Sequence, residues 1–370
     1  MSARTTPPFR ADHVGSLLRP ADLLEARHQF AEKKIGASEL KAKEDAAIEK
    51  VIRQHEDVGL ASITDGEFRR EAWQTDFLSQ LDGVEAVVAQ LPMPNGKVQS
   101  FRVAKVIGSV GFSGHPMIEH FKFLAGHTTR MPKMTIPSPS MMVSVMRDWR
   151  GIISGDAYSD IDSLFLDLGE AYRKAIRAFY DAGCRYIQLD DCNLAFLCDP
   201  ERRRAMEARG DDVSRMLERF AALINTSIEA RPDDLTVSMH LCRGNLRSNW
   251  MAQGGYEPIA ETLFNKIKVE ALFLEYDNDR AGGFEPLRHL PKNGGPLVVL
   301  GLVTTKTGEI EDRDTIKRRI NEAAQIVGLD RLCLSPQCGF ASTEEGNLLS
   351  EEAQWRKLRF TQEVAAEVWR

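Results

Sequence analysis

The chain has 370 residues, 43% of them apolar and 28% charged, and a formal net charge of −6. That acidic balance excludes a general attraction to nucleic-acid phosphates, and no run reaches the ~18–20 apolar residues that cross a bilayer. Residues Met1 to Pro8 lack the apolar stretch of a secretion signal, so a cytoplasmic enzyme is expected, with no nucleic-acid or membrane partner. The six cysteines, Cys184, Cys192, Cys198, Cys242, Cys333 and Cys338, then read as reduced thiols or metal ligands.

In chain order, eight short apolar or β-branched runs predict strands: His13–Ser16, Ala61–Asp65, Met134–Ile136, Tyr186–Asp190, Leu235–His240, Ala271–Glu275, Leu297–Val303 and Leu332–Ser335. Between them lie helical patterns. Ala21 to Val58 suits one or two surface helices. Asp162 to Ala182 is stopped by Gly183, and Asp211 to Ala230 has Pro232 beyond its end. From about Leu81 to Phe123 the rhythm breaks, and alternation over Val98 to Val106 predicts a β-hairpin. Eight strands alternating with helices predict a TIM (β/α)8 barrel with this hairpin inserted between strands 2 and 3. With no internal repeat or linker, residues 1–370 are expected to form one domain.

Chemistry in such a barrel gathers where strands end at the C-terminal face. His240 and Cys242 close the fifth predicted strand and, two apart on an extended chain, point the same way. Glu275 closes the sixth, and Cys338 follows the eighth. An imidazole, two thiolates and a carboxylate form a suitable zinc set of net charge about −1. The carboxylate is the most readily displaced of the four. The same residues also read as a buried core histidine and buried cysteines. Cys184, Cys192, Cys198 and Cys333 are read as structural.

Several motifs together resemble the cobalamin-independent methionine synthase family, in its C-terminal catalytic barrel: His13-Val14-Gly15-Ser16, Asp65-Gly66-Glu67, Ile187-Gln188-Leu189-Asp190, His240-Leu241-Cys242, Glu275 and Pro336-Gln337-Cys338-Gly339. They run in the family's order over nearly the whole chain, which is similar to the short branch without the long N-terminal barrel. The resemblance implies zinc on His240, Cys242, Glu275 and Cys338, and a homocysteine-like thiol held at its amino-acid end by Ser16, Glu67 and Asp190. It implies methylation of homocysteine to methionine, as in the 5-methyltetrahydropteroyltriglutamate–homocysteine S-methyltransferases. The thiol would displace Glu275, stay deprotonated on zinc, and take the alkyl group in line.

Two departures leave the alkyl donor open. The stretch Gly301 to Glu309 after the seventh strand has no histidine where the family carries one as proton donor, so Lys306 or a water is the alternative, and no residue is assigned a catalytic role. The folate-binding tryptophan context is not evident around Ile136 to Ser140. Short members of the superfamily that resemble epoxyalkane:coenzyme M transferases use another electrophile, and a sulfonate would call for Arg19, Arg69, Arg70 or Arg243. A zinc scaffold without turnover is a third reading. His13 is expected to be a core histidine rather than an acid. His115, His120 and His127 lie in or near the insertion and could form a lid, with no single one of them assigned to it. Asp191 reads as a helix cap.

Overall fold

A computed structural model describes residues 4–92 and 98–370. The strands are β1 (Ser62–Ile63), β2 (Asp82–Pro92), β3 (Val98–Gly111), β4 (Met131–Pro132), β5 (Met134–Pro137), β6 (Tyr186–Asp191), β7 (Thr236–Leu241), β8 (Ala271–Glu275), β9 (Leu297–Val303) and β10 (Leu332–Pro336). β5 to β10 pair in parallel in chain order, and β1 pairs in parallel with β4. The ring closes through residues 10–12: Ala11 bridges Leu334 in parallel, and the Asp12 N–H donates to the Leu334 carbonyl at 3.0 Å. Side chains join this first segment to β1, with the Ser62 hydroxyl donating to Asp12 Oδ1 at 2.8 Å and the Thr64 hydroxyl to the Gly15 carbonyl at 2.7 Å. The chain is thus a closed (β/α)8 barrel.

The first strand differs from its expected position. Pairing occurs at residues 10–12, and 13–16 form the loop beyond it, because this stretch exchanges side-chain rather than ladder hydrogen bonds with its neighbour. β2 and β3 pair antiparallel, with Val84 opposite Val106 and Val87 opposite Val103. They lie between barrel positions 2 and 3, where the alternation placed a hairpin. Val106 and Val110 bury one face of it in the main core.

The pleat separates two layers. Val237, Met239 and Leu241 of β7 and Leu272 and Leu274 of β8 face the surrounding helices. Ala271 and Phe273 instead join Val14, Val299 and Cys333 in a small cluster inside the barrel. Since successive side chains alternate, His240 and Glu275 fall on the inner set. Below them the interior is polar: Lys133 Nζ lies 3.2 Å from Asp12 Oδ1 and 4.4 Å from the Phe273 ring centroid, and the Tyr186 hydroxyl donates to Asp12 Oδ2 at 2.9 Å.

The helices match their sequence patterns closely. The stretch from Ala21 to Val58 forms two, Ala21–Ala31 and Ala37–Val58. Ile161–Asp181 is capped by Asp160, whose carboxylate accepts from the Ser163 N–H. It is followed by Gly183 at φ 100°, a left-handed value that favours glycine. Val213–Ile228 packs against it where Gly169 leaves room for Thr226; a Cβ there would come within 2.9 Å of the threonine methyl. Among the described residues no helix is long and apolar enough to cross a membrane.

Candidate metal centre and acidic cleft

β7, β8 and the turn after β10 bring His240, Cys242, Glu275 and Cys338 together. Each offers a donor atom, all four atoms lie within 4.8 Å of one another, and all four residues are buried. The two sulfurs are 3.5 Å apart, and both ring nitrogens of His240 are buried without a hydrogen-bond partner among the described residues. A fully buried imidazole normally satisfies at least one nitrogen, so the geometry leaves this ring free to serve as a ligand.

The electrostatics of the cluster follow from crowding acidic groups out of water. Hydrogen bonds from the Cys192 and Cys338 thiols hold Cys242 well below the usual thiol range, while Cys338, which donates to Cys242, is pushed well up. Burial pulls the His240 imidazole down, but the negative charges of Cys242, Asp190 and Glu275 around it outweigh burial, so the net shift is upward. Burial, then the Cys242 charge, raises Glu275. Cys192, read as structural from sequence, therefore lies near enough to Cys242 to shift its titration. No ligand spacing in the sequence marked it, because it follows a different strand.

Glu275 has no exposed surface. Its Oε1 accepts from the Arg243 backbone N–H at 2.8 Å, and its Oε2 accepts from Arg280 Nη2 at 2.7 Å. Arg280 is a residue that sequence reasoning missed. It lies in the short 3-10 turn Asp279–Ala281, where no period or motif distinguishes it.

Two carboxylates, Glu67 and Asp190, line the same cleft as the cluster. The cleft is lined by Ser16, Glu67, Asp190, His240, Cys242 and Cys338, together with Val14 and Trp73. The turn Asp65-Gly66-Glu67 is pinned by the Asp65 carboxylate, which accepts from the Glu67 N–H at 2.9 Å. It holds Glu67 at φ 63°. Non-glycine residues adopt that region only when their surroundings impose it. Glu67 Oε1 accepts from the Thr135 hydroxyl at 2.8 Å, while Oε2 is buried without a hydrogen-bond partner, 3.4 Å from Arg70 Nη1. Burial raises Asp190 to about 7, opposed by His240 and reinforced by Glu67. Gln188 Nε2 donates to its Oδ1 at 2.7 Å. Ser16 sits against Gly339, where a Cβ would overlap its hydroxyl.

The pleat also separates the two adjacent aspartates. Asp190 points inward, and Asp191 accepts from the Leu194 N–H at 2.7 Å, in the short turn Asn193–Phe196 that follows Cys192. Lys306 occupies the stretch that lacks a histidine. Its Nζ reaches Asn245 Oδ1 at 3.2 Å, and its charge acts on both Glu275 and Cys338.

Other expectations are corrected. Arg19, Arg70 and Arg243 are buried and the Arg69 side chain is 6% exposed; Arg19, Arg69 and Arg70 are committed to internal partners. Arg19 serves the Glu67 and Ala341 carbonyls, Arg69 pairs with Glu44 and Asp45, and Arg70 donates to the Thr135 carbonyl. The Arg243 guanidinium lies 4.5 Å from the Tyr256 ring centroid, and its three nitrogens are buried without a hydrogen-bond partner among the described residues. The three histidines do not form a lid. His115 is stacked on Phe77 at 4.5 Å, and His120 and His127 belong to Met117–His127, which packs among the outer helices. His13 is a core histidine, its Nε2 3.1 Å from the Ser62 carbonyl.

Comparison with known proteins gives a consistent result. The family model described as the cobalamin-independent synthase catalytic domain matches residues 9–365. The uncharacterized protein YxjH of Bacillus subtilis is 48% identical over 98% of this chain and 95% of its own length. A protein of Pyrococcus abyssi named methionine synthase is 25% identical, covering 93% of this chain and 88% of its own. A crystal structure from Listeria monocytogenes, described provisionally as a vitamin-B12 independent methionine synthase, superposes with TM-score 0.81. It has 42% identity and covers 99% of this chain and 100% of that one.

Proposed function

The chain belongs to the cobalamin-independent methionine synthase family, and we propose that it is a zinc-dependent thiol S-methyltransferase converting homocysteine to methionine. The observation that carries this reading is the four-donor cluster sharing one cleft with the Glu67 and Asp190 carboxylates and Ser16. The donor set suits zinc, and the 3.5 Å between sulfurs is near the ~3.8 Å spanned by two zinc–sulfur bonds at a tetrahedral angle. Zinc, when bound, supplies the charge that keeps a substrate thiol as the thiolate, the nucleophilic form, at neutral pH.

The remaining work belongs to the chain. Glu67 Oε2 and Asp190 accept an ammonium group, and the bound cation draws Asp190 back down to its ionised form. The Ser16 hydroxyl serves the substrate carboxylate. Val14 and Trp73 cover the apolar stem between the amino acid and its sulfur. Lys306 places a fixed positive charge beside the cluster. The Glu67 and Asp190 carboxylates suit an amino thiol, and the internal pairing of Arg19, Arg69 and Arg70 weighs against their holding a sulfonate thiol such as coenzyme M.

Two measurements test the reading. Protein purified without added metal is expected to hold zinc, and Cys242→Ser to lose it. Incubation with homocysteine and, separately, methyltetrahydrofolate or methylcobalamin is expected to yield methionine from at least one donor. Product only from an epoxide, or wild-type protein that binds no zinc, would overturn the proposal.

A further inference from the structure

The zinc–thiol reading requires Glu275 to give way to the arriving sulfur, and the structure contains a seat for the carboxylate when it does. Glu275 is fully buried. An anion released in such a place is costly unless charged or hydrogen-bonding groups receive it. Both of its oxygens already have donors: the Arg243 N–H at 2.8 Å on Oε1 and Arg280 Nη2 at 2.7 Å on Oε2. The same Arg280 nitrogen lies 3.0 Å from Asp277 Oδ1. The arginine is therefore shared between one carboxylate that is a metal ligand and one that is not. Its side chain is 5% exposed, and those of Glu275 and Asp277 are 0% and 1%, so water screens these charges little.

Arg280 is also held firmly. The Asn278 side chain accepts from the Arg280 N–H at 3.1 Å, and the Gly254 N–H donates to the Arg280 carbonyl at 2.8 Å. The guanidinium lies 5.6 Å from the centroid of the Trp250 ring.

We propose that Arg280, balanced between Glu275 and Asp277, is the positioning residue that sets how readily Glu275 yields its place on zinc to a substrate thiol. Resting on the function proposed above, this assigns Arg280 a role through Glu275 rather than on the substrate. The guanidinium draws charge from the carboxylate while it is a ligand, and it stabilises the carboxylate once displaced. Both effects favour exchange. Asp277 moderates them by competing for the same nitrogen.

The test uses the full chain with cobalt in place of zinc, read by the sulfur-to-cobalt absorption band during homocysteine titration, together with the rate of zinc transfer to a chelator. Arg280→Met is expected to weaken homocysteine binding by about tenfold or more, the order set by one charge-assisted hydrogen bond, and to slow zinc loss. Asp277→Asn is expected to shift both in the opposite direction, and it decides the matter if Arg280→Met does not fold. Homocysteine affinity within about twofold of wild type in the variants that fold would overturn the proposal. So would faster zinc loss in a folded Arg280→Met, the pattern of a merely structural residue. Wild-type protein that takes up metal but shows no thiol-dependent band would instead remove the function proposed above, and this role with it.

Discussion

Glu67 combines a left-handed backbone, φ 63°, with a carboxylate oxygen buried and short of a hydrogen bond. Strain and an unmet acceptor at one residue fit a group whose partner is a ligand. Glu67→Gln keeps the shape and the contact with Thr135 but removes the charge that receives an ammonium. Its KM for homocysteine is expected to rise about 10- to 100-fold, the range of a lost charge-assisted hydrogen bond, while a thiol without an amino group is unaffected. Steady-state kinetics with both thiols check this; equal losses for the two would oppose the assignment. Gly339 works by having no side chain. Gly339→Ala would drive its methyl into the Ser16 hydroxyl, so homocysteine binding is expected to weaken, with overpacking costing about 1–3 kcal/mol of stability. Denaturant unfolding and thiol titration read the two effects separately.

At the scale of elements, the pleat decides which residues meet. Along β7 and β8 it sends Met239, Leu241, Leu272 and Leu274 into the outer layer, which leaves His240 and Glu275 on the inner face. The two-residue spacing of His240 and Cys242 is therefore legible in the sequence, as is the division between Asp190 and Asp191. Arg280 is not, because the 3-10 turn holding it is placed by contacts with Asn278 and residue 254 rather than by a repeating pattern. The last helix, Glu351–Val368, ties the barrel's two ends together. Gln354 Oε1 accepts from the Leu18 N–H at 2.7 Å, and the Ser350 hydroxyl caps the helix at the Ala353 N–H. Ser350→Ala is expected to cost about 1 kcal/mol in denaturant unfolding and to leave metal content unchanged, because the cap is remote from the four donors. A loss of metal in this variant would show that the closing helix shapes the site.

At the scale of the molecule, closing the barrel buries His13 between the first segment and β1. Burial, then the nearby Lys133 charge, lowers its pKa from 6.5 to about 3. In the unfolded chain the imidazole takes up a proton below 6.5, whereas the folded protein keeps it neutral down to about 3. The unfolded state thus binds more protons between those values, and stability falls as pH falls through that window. The urea midpoint is expected to decline from pH 6.5 toward 3, and the decline to be shallower in His13→Gln. Equal slopes in the two proteins would show that His13 is not a principal source of acid sensitivity.

By itself, the sequence determined what local periodicity and residue chemistry can carry: the order of strands and helices, the hairpin's place, and the His240, Cys242, Glu275 and Cys338 set at strand ends. The tertiary structure decided what depends on segments distant in the chain. It put the first pairing at residues 10–12, because Leu334 supplies the partner backbone. It sent the three histidines in or near the insertion to structural positions, brought Cys192 near Cys242, and committed Arg19, Arg69 and Arg70 to internal partners. It also seated Glu275 between Arg243 and Arg280. Strand alternation is a property of neighbouring residues, whereas the partner of a buried charge is fixed only when the barrel closes and excludes water.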